Sequence, residues 1–317
     1  MPLHPVETLH EALKQLEPFS LAFHKDADGV FSAAIVRAVF ETSEVHCPFI
    51  FGDYSEQVAV DLGPPLDPEW RGVVVDHHPT HPENPEYTLF WDSVPTGLIL
   101  YRALRDKLPE EKWWYVVGSL VGDASPELVP PEVWDRFPEL LDDYGSIYRS
   151  GSDWRFSRFP LFNFISSSVN ALCRLGRAID ALELVERCKT PTDLVYSDVV
   201  LDAREQLRGE EEAILRSKPR VFVVKERYVV TVVRSSRREI SISGLIASRL
   251  LPEYSNKYTV VVVNETNGEV SIRGLLAHYL GSKLRQQGWS VGGHAAAYGG
   301  NIPVDRIRDF LEAIRRC

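Results

Sequence analysis

The sequence predicts an α/β protein: an N-terminal domain on a parallel sheet with helices on both faces, then a smaller mixed α/β C-terminal domain, with a cleft between them. Three observations lead there. Short Val- and Ile-rich runs alternate with helix-length stretches early in the chain, the rhythm of a parallel sheet covered on both faces. Acidic and histidine clusters close those runs, where open α/β sheets place their sites. After a highly charged stretch at 202–218 the rhythm changes to strands and helices in closer alternation, with a hairpin signal at Asn267-Gly268.

Taken in order, Leu9, Leu13 and Leu16 give residues 7–17 the spacing of a short amphipathic helix. Ser20–Phe23 is the first expected strand. It runs into His24-Lys25-Asp26-Ala27-Asp28-Gly29 and a helix over Val30–Phe40. A second strand is expected over Val45–Phe51, ending at Gly52-Asp53, and a third over Gly72–Val75, ending at Asp76-His77-His78-Pro79. From Thr96 to about Arg208 the pattern reads as mainly helical, including Lys112–Leu120, which leads into Gly122-Asp123. Residues 202–218 read as a solvated linker helix, dividing a domain over 1–201 from one over 219–317. Strands are expected at Arg220–Val224, Tyr228–Val233, Tyr258–Val263 and Glu269–Ile272, with helices at Ile242–Leu251, Ala277–Gln287 and Val304–Arg316.

Composition narrows the function classes. An apolar share of 44% with 25% charged residues belongs to an ordinary soluble globular protein rather than a fibrous or long disordered one. No apolar run approaches the length of a membrane span, and Glu7, Glu11 and Glu17 interrupt what would be a signal peptide. Cys47, Cys173, Cys188 and Cys317 form no CxxC pair, so neither a zinc knuckle nor a disulfide framework is indicated. A cytoplasmic protein without membrane attachment is the expectation, and a homodimer is compatible with the sequence. The net charge of -10 hides an asymmetry. Residues 1–217 hold 19 Lys and Arg against 37 Asp and Glu, a net of -18, whereas 218–317 hold 16 against 8, a net of +8. Carboxylates in one part gather cations, and guanidinium and ammonium groups in the other gather anions; solvated surfaces of opposite sign would give the same count.

The chemistry is concentrated at the strand ends. Along an extended chain His24, Asp26 and Asp28 share one parity and can line one pocket. Mixed histidine and carboxylate donors suit Mn²⁺ or a similar borderline-hard ion. Carboxylates crowded together repel unless cations neutralise them, and two divalent ions can both activate a water and clamp a phosphoryl oxygen. Alone, each motif has an ordinary explanation: His-x-Asp-x-Asp-Gly as an Asx-rich turn ahead of a helix, Asp-His-His as a surface loop. Their order and spacing together point further.

In that order and spacing the chain resembles the DHH phosphoesterase superfamily of RecJ-type nucleases, nanoRNases and cyclic-dinucleotide phosphodiesterases. The matching motifs are His24-Lys25-Asp26-Ala27-Asp28-Gly29, Asp53, Asp76-His77-His78, and Asp123 in Gly-Asp-Ala-Ser. In the C-terminal part, Val270-Ser271-Ile272-Arg273 and Gly292-Gly293-His294 resemble the DHH-associated domain; Tyr298 departs from it, standing where a small residue is usual. The resemblance implies a metal pair, Mn²⁺ or alternatively Mg²⁺, served by His24, Asp26, Asp53 and Asp123, with Asp28 and His77 on the second ion and Asp53 as the bridge. Asp76 would orient a histidine, as carboxylates behind metal-bound imidazoles do, and His78 would face the phosphate or leaving oxygen. Arg273, Gly292, Gly293 and His294 would hold a substrate phosphate. The implied activity is phosphodiester hydrolysis of short single-stranded RNA or DNA. A small phosphorylated molecule (cyclic dinucleotide, bisphosphate nucleotide or polyphosphate) is the alternative, with Tyr298 or Trp289 as candidate base-stacking groups. A catalytically silent scaffold is the third reading.

Overall fold

Val- and Phe-rich runs too short for helices form the centre of the N-terminal part. The computed structural model describes residues 4–48, 52–79, 81–150, 153–254, 257–294 and 297–317, without the side chains of 144–158 and 294. The chain divides into two compact units: residues 1–173 with 177–202, and residues 174–176 with 203–317. Among the described residues no helix is long and apolar enough to cross a membrane.

In the first unit, α1 (Leu9–Lys14) precedes β1 (Phe19–Phe23), α2 (Ala27–Val39), β2 (Thr42–His46), β3 (Val58–Val60), β4 (Val73–Asp76) and β5 (Thr88–Trp91). The five strands form one sheet in the order β2-β1-β3-β4-β5, and every pair is parallel. All residues of β1, β3 and β4 are buried, as central parallel strands must be when both faces of a sheet are covered. The chain then becomes helical through α3 (Thr96–Leu104), α4 (Trp114–Gly122) and α5 (Pro131–Arg136). It departs from the helical expectation at β6 (Asp143–Ser150) and β7 (Asp153–Pro160), which pair antiparallel as a two-stranded ribbon. Here Tyr, Ile, Trp and Phe at close spacing favour extended backbone over helix. Helices α6 (Leu161–Arg174), α7 (Ala178–Arg187), α8 (Pro191–Val195) and α9 (Asp198–Arg216) follow. Helix α2 packs against α3, α4 and α7, which makes it the central helix of this unit.

Two strand expectations shift. The strand expected over 45–51 is instead β2 at Thr42–His46, and residues 49–51 lie outside the described residues. The next strand of the sheet is the three-residue β3, whose chain reaches the carboxyl edge at Asp61 rather than Asp53.

The second unit comprises β8 (Val221–Val224), β9 (Tyr228–Val233), α10 (Ser243–Tyr254), β10 (Thr259–Asn264), β11 (Glu269–Arg273), α11 (Ala277–Gln286), β12 (Val291–His294), β13 (Ala297–Asn301) and α12 (Ile307–Arg316). Its six-stranded sheet runs β12-β13-β11-β10-β9-β8, mixed because β9 and β10 are parallel while the other pairs are antiparallel. Tyr228, Val261, Ile272, Leu280, Leu284 and Phe310 are fully buried in its core. Glu269 accepts the backbone N–H groups of Ile242 and Ser243 at 2.8 and 2.9 Å, capping the start of α10.

Candidate metal centre

Strand order 2-1-3-4-5 reverses direction between β1 and β3, and the carboxyl ends flanking that switch point are where open parallel sheets place ligands. His24 and Asp26 follow β1, Asp61 follows β3, and Asp76, His77 and His78 end β4. Asp28 lies in the first turn of α2, and Asp123 caps the carboxyl end of α4. The reading by strand parity changes in one respect. The chain is extended only through Asp26 and turns helical at Ala27, so Asp28 enters the site from a helix. Asp26 caps that helix, accepting the N–H of Gly29 at 3.0 Å. A Cβ at Gly29 would stand 2.2 Å from the His24 carbonyl oxygen, so only glycine lets the turn close this tightly.

Asp61 lies at the centre. It is buried, and its backbone is left-handed at φ 61°, a conformation uncommon for any residue but glycine and tolerated best by Asp and Asn. One of its oxygens is 3.5 Å from Nδ1 of His24, which also meets Asp26 at 2.8 Å. The other is 3.3 Å from Nε2 of His77, which meets Asp123 at 3.2 Å and Asp28 at 3.8 Å. His24, Asp26 and Asp61 thus form one set of convergent donors, and Asp28, His77 and Asp123 another; Asp61, His77 and His78 make a third grouping. Asp53 is not among them. It sits on an exposed loop before β3, and the position expected of it is taken by Asp61. The pattern that could have identified Asp61 is Val58-Ala-Val-Asp61, an apolar run closed by Asp like Val73–Asp76.

Several of these carboxylates are anchored from behind. Asp28, fully buried, accepts hydrogen bonds from Ser119 Oγ at 2.6 Å, Ser32 Oγ at 3.1 Å, and the Thr96 and Gly97 N–H groups at 2.9 and 3.1 Å. The last two are otherwise unsatisfied donors at the start of α3. Asn170 of α6 accepts the N–H of Ala27 at 3.0 Å, securing the residue between the two aspartates. Asp76, also fully buried, accepts from His78 Nδ1 at 2.8 Å and His81 Nε2 at 2.7 Å. Trp91 Nε1 donates to the His78 carbonyl at 2.9 Å. Sequence reasoning reached none of Asn170, Ser119, His81 or Trp91, because each becomes a partner only through tertiary packing.

The electrostatics are those of a crowded anionic pocket. Burial, then the neighbouring Asp28, Asp61 and Asp26, pushes Asp123 up to about 9. Burial and Asp61 push Asp28 up to about 6. Burial opposes a charge on His77, but Asp61, Asp28 and Asp123 outweigh it and raise the ring to about 10. Burial likewise opposes charge on His24 and Asp26, yet their mutual attraction holds the imidazole well above its ordinary value and the carboxyl well below. The pocket brings together four carboxylates (Asp26, Asp28, Asp61 and Asp123) and three imidazoles (His24, His77 and His78), a donor set that fits divalent cations of the Mn²⁺ or Mg²⁺ kind.

In the second unit, Arg273 ends β11, and its Nε is buried without a hydrogen-bond partner among the described residues. Burial lowers its pKa. Gly292 and Gly293 lie exposed in β12. Gly293 has φ 151°, and a Cβ there would stand 2.1 Å from the Ala297 carbonyl oxygen. The side chain of His294 lies outside the described residues. Tyr298 and Trp289 are core residues, 5% and 8% exposed. The Tyr298 ring lies where a Cβ on Gly281 would fall, with its hydroxyl 3.1 Å from His278 Nδ1. Neither ring forms an open stacking surface.

No protein-family model matches the sequence, and no curated protein matches it. Solved structures do match. RecJ from Thermus thermophilus, in complex with Mn²⁺, aligns over 100% of this chain at 19% identity with a TM-score of 0.69. The chain spans 55% of that protein's length. Exonuclease RecJ bound to manganese aligns over 100% of this chain and 94% of its own at 18% identity and a TM-score of 0.61. The DHH domain of a member of a ribosomal-protein family aligns over 96% of this chain and 87% of its own at 16% identity and a TM-score of 0.58. The chain therefore has the fold of RecJ and of the DHH domain, the architecture its His-x-Asp-x-Asp and Asp-His-His motifs led one to expect.

Proposed function

We propose that the protein is a cytoplasmic, metal-dependent phosphodiesterase that hydrolyses short single-stranded oligonucleotides. The observation that carries this reading is the convergence of two His/Asp donor sets on the two oxygens of Asp61, at the switch point of the sheet. His24, Asp26 and Asp61 would hold one Mn²⁺, and Asp28, His77 and Asp123, with Asp61 shared, a second. Bound there, divalent ions lower the pKa of a water and neutralise charge on the phosphoryl oxygens. The protein's own groups do the rest. Asp28 and Asp26 keep fixed positions through the caps of α3 and α2, so the donor sets are held before substrate arrives. His78 gives its Nδ1–H to Asp76, which leaves Nε2 as the ring nitrogen that exchanges a proton with the leaving oxygen. Arg273 binds a phosphate with a guanidinium whose buried Nε lacks a partner among the described residues, and Gly292, Gly293 and His294 assist it. RecJ structures carry manganese or magnesium, so the neighbours support a divalent ion of either kind.

A second reading, hydrolysis of a small phosphorylated molecule, is favoured by one observation. Trp289 and Tyr298 lie in the core, so neither supplies the stacking surface that oligonucleotide binding uses. The experiment is to incubate metal-free protein, with and without Mn²⁺, with a dinucleotide, 24-mer RNA and DNA, a cyclic dinucleotide and polyphosphate, and to identify the products. Mn²⁺-dependent release of mononucleotides from short strands supports the proposal. Turnover of the small molecules alone moves the reading to the alternative, and full turnover in excess chelator removes the metal mechanism.

A further inference from the structure

Behind His78 runs a hydrogen-bonded chain that neither the metal donors nor the substrate-binding residues use. Asp76 is fully buried, and His81 has a side chain only 1% exposed. Asp76 Oδ1 meets His78 Nδ1 at 2.8 Å; Oδ2 meets His81 Nε2 at 2.7 Å and the His78 N–H at 3.1 Å. His81 Nδ1 in turn meets the Tyr87 hydroxyl at 2.7 Å. Tyr87 packs against the cluster of Tyr54, Trp70 and Leu89, so its position is set by the sheet rather than by a loose loop.

The donors in this chain can be assigned from their chemistry. An ionised carboxylate only accepts, so both imidazole nitrogens facing Asp76 carry protons. A neutral His81 with its proton on Nε2 then has an acceptor at Nδ1, and the tyrosine O–H is the donor that satisfies it. Every polar atom from Tyr87 to His78 Nδ1 is paired, with both arms of the chain donating toward Asp76, as buried polar groups require.

We infer that His81 and Tyr87 form a positioning pair that acts through Asp76 to hold the His78 ring by its Nδ1–H, so that proton exchange with the leaving oxygen runs through Nε2. The inference rests on the phosphodiesterase reading and adds to it two residues that touch no substrate. Hydrolysis joins the water oxygen to phosphorus and breaks the bond from phosphorus to the nucleoside oxygen. The water loses one proton; the leaving oxygen gains one from a His78 ring that carries a second proton on Nε2 besides the one on Nδ1, and the proton lost by water restores it. The Nδ1 proton stays on His78, donated to Asp76 throughout.

The test compares full-length wild type, Tyr87→Phe, His81→Leu and His81→Gln on two substrates. One is a dinucleotide, whose leaving alkoxide needs a proton; the other is the p-nitrophenyl ester of thymidine 5′-phosphate, whose leaving group does not. His81→Leu should lower kcat on the dinucleotide by roughly 10–100-fold, the usual cost of losing an outer partner, with KM and bound Mn²⁺ unchanged. Tyr87→Phe should move the same way by less, and His81→Gln, which keeps a donor to Asp76, should recover much of the loss. On the p-nitrophenyl ester all three should stay within about threefold of wild type, because proton transfer contributes little there. Equal losses on both substrates, no loss, or a change in KM alone would overturn the pair. Should His81→Leu not fold, ¹⁵N spectra of wild type and Tyr87→Phe decide the matter. The His81 proton on Nε2 is the expected result, and a proton on Nδ1 contradicts it. A wild type that hydrolyses neither substrate defeats the phosphodiesterase reading, while the histidine spectra still judge the pair.

Discussion

Asp61 is where the two donor sets meet, and its left-handed backbone at φ 61° is the kind of local conformation that a fold retains when a side chain must point one way. Replacing it with Asn should remove bound Mn²⁺ and lower turnover beyond the roughly 10–100-fold typical of outer partners. Asp53→Ala should leave metal content and rate within about twofold, as exposed changes away from a site usually do. Metal analysis of the two variants side by side checks both. Asp123 gives a second expectation, through pH. A carboxyl whose folded pKa is raised costs the folded state nothing below the ordinary carboxylate value, where both states are protonated. Its cost then grows as pH rises toward about 9. Asp123→Asn should therefore raise the melting temperature of metal-free protein, more at pH 8 than at pH 5, while weakening Mn²⁺ binding. A gain that shrinks with rising pH would reverse the sign. His24, Asp26, Asp28, His77 and Asp123 were legible in the sequence because each lies in a compact motif at the end of an element. Asp61 was not, because β3 is three residues long and the more apolar stretch at 45–51 drew the strand assignment.

At the scale of elements, α2 and α3 are the supports of the site. The start of α2 is capped twice, by Asp26 on Gly29 and by Asn170 on Ala27, and the start of α3 rests on Asp28. Asn170→Ala should cost about 0.5–2 kcal/mol of stability, the range for a lost helix cap, and should lower Mn²⁺ affinity with it. Denaturant midpoints and metal titration read the two effects; a stability loss with unchanged metal affinity would show that α6 supports the fold but not the site. The alternation of buried runs and amphipathic helices made β1, α2 and β4 readable, since period and turn chemistry are local properties. The β6–β7 ribbon fell in a region that reads as helical because helix-length stretches flank it on both sides; its two eight-residue runs and the Gly151-Ser152 pair between them in sequence were the signals that could have marked it. Tyr298, a departure from the resembling family, fills the space left by Gly281; only the packed structure reveals that exchange of volume.

Across the whole molecule, charge is partitioned as chemistry would ask: a net of -18 over residues 1–217, which contain the metal-donor cluster, and +8 over residues 218–317, which contain Arg273. Arg273→Ala should keep its metals and lose tenfold to a hundredfold in substrate affinity, since a charge-assisted contact contributes roughly 1.5–3 kcal/mol. Loss of metal in that variant would contradict the assignment. The fold class and the two-part organisation were legible from the change in rhythm and charge along the chain. What composition could not convey is which carboxylates share a pocket, because that depends on the order β2-β1-β3-β4-β5, a property of pairing rather than of any one segment. The most direct measurement is a titration of metal-free protein with Mn²⁺, following bound ions per chain and dinucleotide hydrolysis together. Two ions should bind, hydrolysis should rise with occupancy of the second, and Asp61→Asn should abolish both. Saturation at one ion with full activity, or hydrolysis before any ion binds, would contradict a centre built from two donor sets joined by Asp61.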